Sequence, residues 1–123
     1  MDGLMYTYNA QVIKIVDGDT IDALIDIGFS VWVKKRIRLH GINTPESRTR
    51  DLIEKKAGLA AKDRLVELLE SGDNKFKLVS HGVGKYGRCL GELYHPDSEA
   101  EGDSYNQTLV KEGHAKEYFG GKR

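Results

Sequence analysis

A chain of 123 residues, 39% hydrophobic and 31% charged, holds enough apolar material for one core and is too hydrophobic for a disordered polymer. Its nineteen Lys and Arg balance its nineteen Asp and Glu, so its net charge is zero and no overall basic character points to a nucleic-acid partner. The single cysteine, Cys89, rules out an internal disulfide, and no apolar run is long enough to span a bilayer as a helix.

The start, Met1-Asp2-Gly3-Leu4-Met5, lacks the basic and apolar regions of a secretory signal, which makes a cytoplasmic location the default expectation. Residues 7–16 are rich in β-branched side chains and predict a strand. Asp17-Gly18-Asp19 predicts a tight turn. Residues 20–27 predict the return strand, with Ile21, Ala23, Ile25 and Ile27 facing a core and Asp22 and Asp26 facing water. Gly28 marks the next turn, and residues 31–39 predict a third strand completing a meander.

The period then lengthens. Ala57, Ala61, Leu65, Leu68 and Leu69 recur at spacings of three and four, which predicts one helix face ending at Ser71-Gly72. Its start is expected between Thr49 and Gly58, since a glycine weakens the early part. Residues 75–80 predict a fourth strand, 81–87 a glycine-rich turn and 88–95 a fifth strand. An acidic loop over 96–104 precedes a short helix over 105–112, stopped by Gly113, and a frayed tail over 115–123. The expected fold is α+β, mainly β: one domain over residues 1–123, a five-stranded OB-fold barrel with one long and one short helix packed on it.

Charge is segregated along the chain. Lys34, Lys35, Arg36, Arg38, Arg48, Arg50, Lys55, Lys56, Lys62 and Arg64 crowd the middle, while Asp97, Glu99, Glu101 and Asp103 crowd a late loop. A local positive face is therefore compatible with a neutral total.

Three segments carry chemistry. Val16-Asp17-Gly18-Asp19-Thr20 places carboxylates in a turn, and Asp22 follows. Aspartates favour turns in any protein, but the spacing also suits a hard divalent cation. Arg38-Leu39-His40-Gly41-Ile42-Asn43-Thr44-Pro45-Glu46 supplies a guanidinium, an amide oxygen, a threonine and a carboxylate able to accept a proton from water. Lys85-Tyr86-Gly87-Arg88 adds a second guanidinium, a lysine for phosphate and a ring for base stacking, and Tyr118-Phe119 offers rings near the end. Oxygen donors, a base and two cationic forks are what metal-assisted cleavage of a phosphodiester requires. His40, His81, His95 and His114 are scattered and show no zinc-like spacing with Cys89; His40 is expected to face away from Arg38.

Together with Asn106 to Gly113 and the following Ala115, these segments resemble the staphylococcal nuclease (thermonuclease) family from about Gln11 to Phe119. The resemblance implies calcium-dependent hydrolysis of DNA and RNA that leaves 3′-phosphate ends. It assigns calcium to Asp19, Asn43 and the Thr44 carbonyl, phosphate to Arg38 and Arg88, water activation to Glu46, and nucleotide contacts to Lys85, Tyr86 and Tyr118. Single strands are the expected preference, with duplex DNA a further substrate and no membrane partner.

Two departures stand out. Asn43 occupies a position where the well-known member of that family has a second calcium-binding aspartate, and one lost charge beside a cation costs on the order of 1–4 kcal/mol. The sequence also stops soon after Phe119, so the long C-terminal helix of the better-known family member is expected to be missing. The rival expectation is a non-catalytic nucleic-acid-binding module, as in Tudor-staphylococcal-nuclease proteins.

Overall fold

β-Branched alternation and two tight turns set the first half of the molecule. In the computed structural model, which describes residues 6–83, 88–98 and 102–118, β1 (Thr7–Asp17), β2 (Thr20–Asp26) and β3 (Trp32–Leu39) form an antiparallel meander. Ile21, Ala23 and Ile25 of β2 point inward as their spacing predicts. Ile27 does not: it lies past the end of β2 and is 45% exposed, because the chain has already turned at Asp26 and Gly28.

A short β4 (Ile42–Asn43) leads to α1 (Leu52–Glu70), then β5 (Lys75–Val83), β6 (Cys89–Tyr94), α2 (Tyr105–Lys111) and β7 (Lys116–Glu117). The five long strands close in the order β1-β2-β3-β6-β5, and β5 returns antiparallel to β1. β3 and β6 pair in parallel through Ile37, Arg38 and Leu39, so the barrel is mixed. This is the five-stranded barrel with two helices of the OB type. The core joins Ile37, Leu39, Phe76, Leu78 and Leu93 of the barrel to Leu65 and Leu69 of α1 and Leu109 of α2. Each such side chain contributes about 1.5–3 kcal/mol relative to exposure.

α1 starts at an Asp51 cap, whose carboxylate accepts from the N–H groups of Ile53 at 3.0 Å and Glu54 at 3.2 Å. Its buried face is Gly58, Ala61, Leu65 and Leu69. Ala57 is exposed, so the inner stripe is displaced by one residue from the face expected at the helix start. α2 opens on a reciprocal Ser104–Gln107 capping box. Among the described residues no helix is long and apolar enough to cross a membrane.

Other differences are local. His81, Gly82 and Val83 extend β5 instead of turning, because the strand continues to pair with β6 as far as Cys89. The segment after α2 is not frayed at its start: Lys116 and Glu117 pair with Asn43 and Ile42, and Tyr118 N–H donates to Gly41 O at 2.8 Å. Two-residue strands leave no periodic signature, so neither β4 nor β7 is readable from the pattern.

Candidate functional site

One cavity of about 350 Å³ opens beside the first hairpin. Asp19, Arg38, Glu46 and Arg88, drawn from the three chemistry-bearing segments, all line it, together with Asp17, Thr20, Thr44, Arg36 and Arg48. The barrel explains the convergence. Thr20 of β2 pairs with Arg38 of β3, and Arg38 pairs with Leu90 of β6, so the chain just before β6 delivers Arg88 alongside.

Two glycines bring the remaining segments in. A β-carbon on Gly58 would lie 2.5 Å from the carbonyl carbon and oxygen of Glu46 and 2.7 Å from Pro45 O. A β-carbon on Gly18 would lie 2.8 Å from Cβ of Ala61 and 3.1 Å from Cγ2 of Thr44. Helix α1 therefore presses directly on the hairpin turn and on the Pro45–Glu46 backbone, an approach only glycine permits.

Asp19 is 7% exposed and heavily engaged. Its Oδ1 accepts from the Thr20 hydroxyl at 3.0 Å, its Oδ2 accepts from Thr44 N–H at 3.1 Å, and Oδ2 lies 3.2 Å from Arg38 Nη1. Arg38 Nη1 also donates to Leu39 O at 3.3 Å, and Nη2 donates to Asn43 Oδ1 at 3.3 Å. The guanidinium is thus clamped between a carboxylate and an amide. Asp17 Oδ1 accepts from Ser47 N–H at 3.2 Å and from the Ser47 hydroxyl, tying the hairpin to the residue after Glu46. Glu46 N–H donates to Glu54 Oε2 at 3.1 Å, anchoring the same segment to α1.

The other anticipated residues fall differently. Asn43 lines an adjoining cavity of about 530 Å³, which shares Thr44 and Glu46 with the first. Tyr118 is half-buried and is not among the residues lining the Arg38 cavity. Lys85 and Tyr86 lie outside the described residues. The Thr44 hydroxyl is buried without a hydrogen-bond partner among the described residues. Among the described residues no three His, Cys, Asp or Glu side chains converge as metal ligands.

Arg36 and Arg48 were read from sequence only as members of the basic middle and not as site residues, yet both line the cavity. The signal for Arg36 was its two-residue spacing from Arg38, which puts both on one strand face. Arg36 grips Asp22 through Nε at 2.8 Å and Nη2 at 3.2 Å, and these hydrogen bonds hold the Asp22 carboxyl below its usual range.

His40 does turn away. Its ring stacks on His81 with centroids 4.1 Å apart, and His81 Nε2 lies 2.8 Å from Glu92 Oε1. Two of the four histidines therefore meet, one just past the end of β3 and one in β5, and His40 lines a separate cavity of about 330 Å³. Burial, reinforced by His81, pushes the His40 ring to a lower pKa, and Glu92 opposes the shift.

Residues 36–123 match the family described as staphylococcal nuclease homologue, a span that contains Arg38, Asn43, Thr44, Glu46 and Arg88. A micrococcal nuclease of Shigella flexneri is 30% identical over 115 residues, covering 90% of this chain and 59% of that protein. The staphylococcal-like nuclease CAN1 of Arabidopsis thaliana is 32% identical over 85 residues, covering 69% of this chain and 22% of the relative. The probable staphylococcal-like nuclease CAN1 of Oryza sativa subsp. japonica is 32% identical over 92 residues, covering 74% and 24%. This chain thus spans about six tenths of the bacterial relative's length and about a quarter of the plant ones. With a matched span that takes in most of the sequence, the chain belongs to the staphylococcal nuclease family.

Proposed function

We propose that this chain is a calcium-dependent nuclease that hydrolyses phosphodiester bonds of DNA and RNA with little sequence preference and leaves 3′-phosphate ends. The observation that carries the reading is the meeting of Asp19, Arg38, Glu46 and Arg88 in one cavity. Membership of a typically calcium-dependent nuclease family supports it.

The donor set fits a hard divalent cation. The Asp19 carboxylate, the Thr44 oxygens and the Asn43 amide are all hard oxygen donors, and the buried Thr44 hydroxyl has no hydrogen-bond partner among the described residues. One full charge among them, where an aspartate at position 43 would give two, makes a weak site. Bound there, calcium supplies positive charge against a phosphoryl oxygen. Arg38 and Arg88 grip the phosphate and offset the charge that grows on its oxygens. Arg38 is already oriented by Asp19 and Asn43, so little reorganisation accompanies the reaction. Glu46 accepts the proton of the attacking water. The water oxygen bonds to phosphorus, and the 5′ oxygen departs.

The second reading, a binding module without catalysis, is favoured by Asn43 alone. A digest of single-stranded DNA with calcium, with magnesium and with a chelator decides between them. Cleavage confined to calcium, with 3′-phosphate products, is expected. Binding without cleavage in any of the three conditions sinks the nuclease reading.

A further inference from the structure

The turn between β2 and β3 is built at odds with stability. Ile27 N–H bonds to Val31 O at 3.1 Å and Val31 N–H to Gly28 O at 2.9 Å, closing a tight hairpin. Phe29 and Ser30 both take left-handed backbone angles, with φ of 57° and 60°. Hairpins of this kind favour Asn and Gly at such positions. Here a phenylalanine takes the strained place and is 100% exposed, with Trp32 50% exposed and Val31 and Ile27 also open to solvent. A bare ring held in strained backbone serves no packing role, and such strain points to function.

The adjoining strand gives that tip a direction. β3 pairs with β2 without interruption from Trp32 to Arg38. Val33 and Ile37 face the core, so Trp32, Lys34, Arg36 and Arg38 share the opposite face. This face leads from an aromatic tip to the candidate cavity, which Arg36 and Arg38 both line. Six residues of strand span about 20 Å. The acidic side chains along the way are held by neighbours: Asp22 by Arg36, with Lys34 and Lys14 adding to the positive field around it, and Asp26 Oδ1 by Gly28 N–H at 2.9 Å.

We propose that the outer face of β3 is a track for the single-stranded nucleic acid leading into the cavity, with Trp32 and Phe29 as a distal stacking platform and Lys34 as a phosphate contact between. The proposal rests on the nuclease reading for its substrate. Aromatic rings interleaved with cations suit a single strand, whose bases stack without regard to sequence while its phosphates follow the basic side chains. Continuity with the cavity favours this occupant over a lipid surface, which needs no link to Arg36 and Arg38.

Trp32 is the only tryptophan of the chain, so its emission reports directly on the platform. Full-length protein in chelator is titrated with a thymidylate 16-mer and with a thymidine dinucleotide. The 16-mer is expected to quench the emission, whereas the dinucleotide, too short to bridge cavity and tip, leaves it unchanged. Phe29→Ser and Trp32→Gln are each expected to weaken 16-mer binding, followed by anisotropy of a labelled oligonucleotide, about fivefold or more. Lys34→Gln should flatten its salt dependence. Binding of the 16-mer with silent tryptophan emission, or with equal affinity in both aromatic variants, overturns the track. So does absence of 16-mer binding, or a response only to phosphatidylserine vesicles, which assigns the tip to a membrane. Quenching by the 16-mer followed by no cleavage on adding calcium sinks the nuclease reading and leaves the track standing.

Discussion

Arg38 and Asn43 are bonded to each other, Nη2 to Oδ1 at 3.3 Å, while Nη1 of the same guanidinium lies 3.2 Å from Asp19 Oδ2. The amide at position 43 therefore bonds the guanidinium proposed to hold the phosphate, and it is also a proposed metal ligand. Asn43→Asp adds a negative charge worth about 1–4 kcal/mol beside a divalent ion at intermediate dielectric. Calcium titration calorimetry is expected to show affinity rising tenfold or more. An unchanged dissociation constant removes residue 43 from the ligand set.

Arg38→Ala separates the structural from the chemical part of that arrangement. It leaves a buried carboxylate without its cation, at a cost of at most about 3–5 kcal/mol, because Thr20 and Thr44 still bond Asp19. Turnover on single-stranded DNA should fall by about 10²–10³. Adding Asp19→Asn removes the stranded charge, so urea unfolding should recover much of the stability while the rate stays low. Because Asp19 is itself a proposed calcium ligand, the rate is read on Arg38→Ala alone, and an unchanged turnover there removes Arg38 from the phosphate.

Gly58 marks where sequence reasoning stops. Strand alternation at Ile21, Ala23 and Ile25 and the helical spacing of Ala61, Leu65 and Leu69 were legible because each reflects one face against one core. The motif residues Asp19, Arg38, Glu46 and Arg88 were legible as chemistry, and it is the barrel pairing that makes them neighbours. Gly58 read only as a weak point in a helix, since the backbone it must accommodate lies twelve residues away in Glu46. The β4–β7 pairing and the His40–His81 stack were hidden for the same reason, being contacts between distant segments with no local period. Gly58→Ala should gain about 1 kcal/mol of helix propensity. It should lose more than that by pushing α1 off Pro45 and Glu46. A lower urea midpoint together with a reduced rate is expected; a raised midpoint shows that the helix can yield.

Asn106 joins three elements from a site only 2% exposed. Its Oδ1 accepts from Leu93 N–H at 3.1 Å, and its Nδ2 donates to His40 O at 2.9 Å and Gly91 O at 3.0 Å. Asn106→Ala takes a buried acceptor from Leu93 N–H and a donor from His40 O and from Gly91 O, of which Gly91 O keeps the His40 N–H at 2.8 Å; each polar group left unsatisfied costs about 1–3 kcal/mol unless water enters. A loss of about 2–5 kcal/mol in chemical denaturation is expected. A loss under 1 kcal/mol shows that water replaces the amide.

The His40 stack makes stability depend on pH, and the sign follows from its environment. Burial and the neighbouring His81 disfavour the charged His40 ring, Glu92 draws the other way, and Lys111 and Glu117 line the same cavity. With the folded pKa below the unfolded value of about 6.5, the unfolded chain binds more protons just below that pH. His40 therefore contributes stability that is full above pH 6.5 and is lost as pH falls through its folded pKa. His40→Gln removes this dependence while keeping a polar ring-sized group over His81. Urea unfolding of both proteins between pH 5 and 7.5 should give a stability curve that falls toward acid more steeply for the wild type than for the variant. Parallel curves place the titration in other groups.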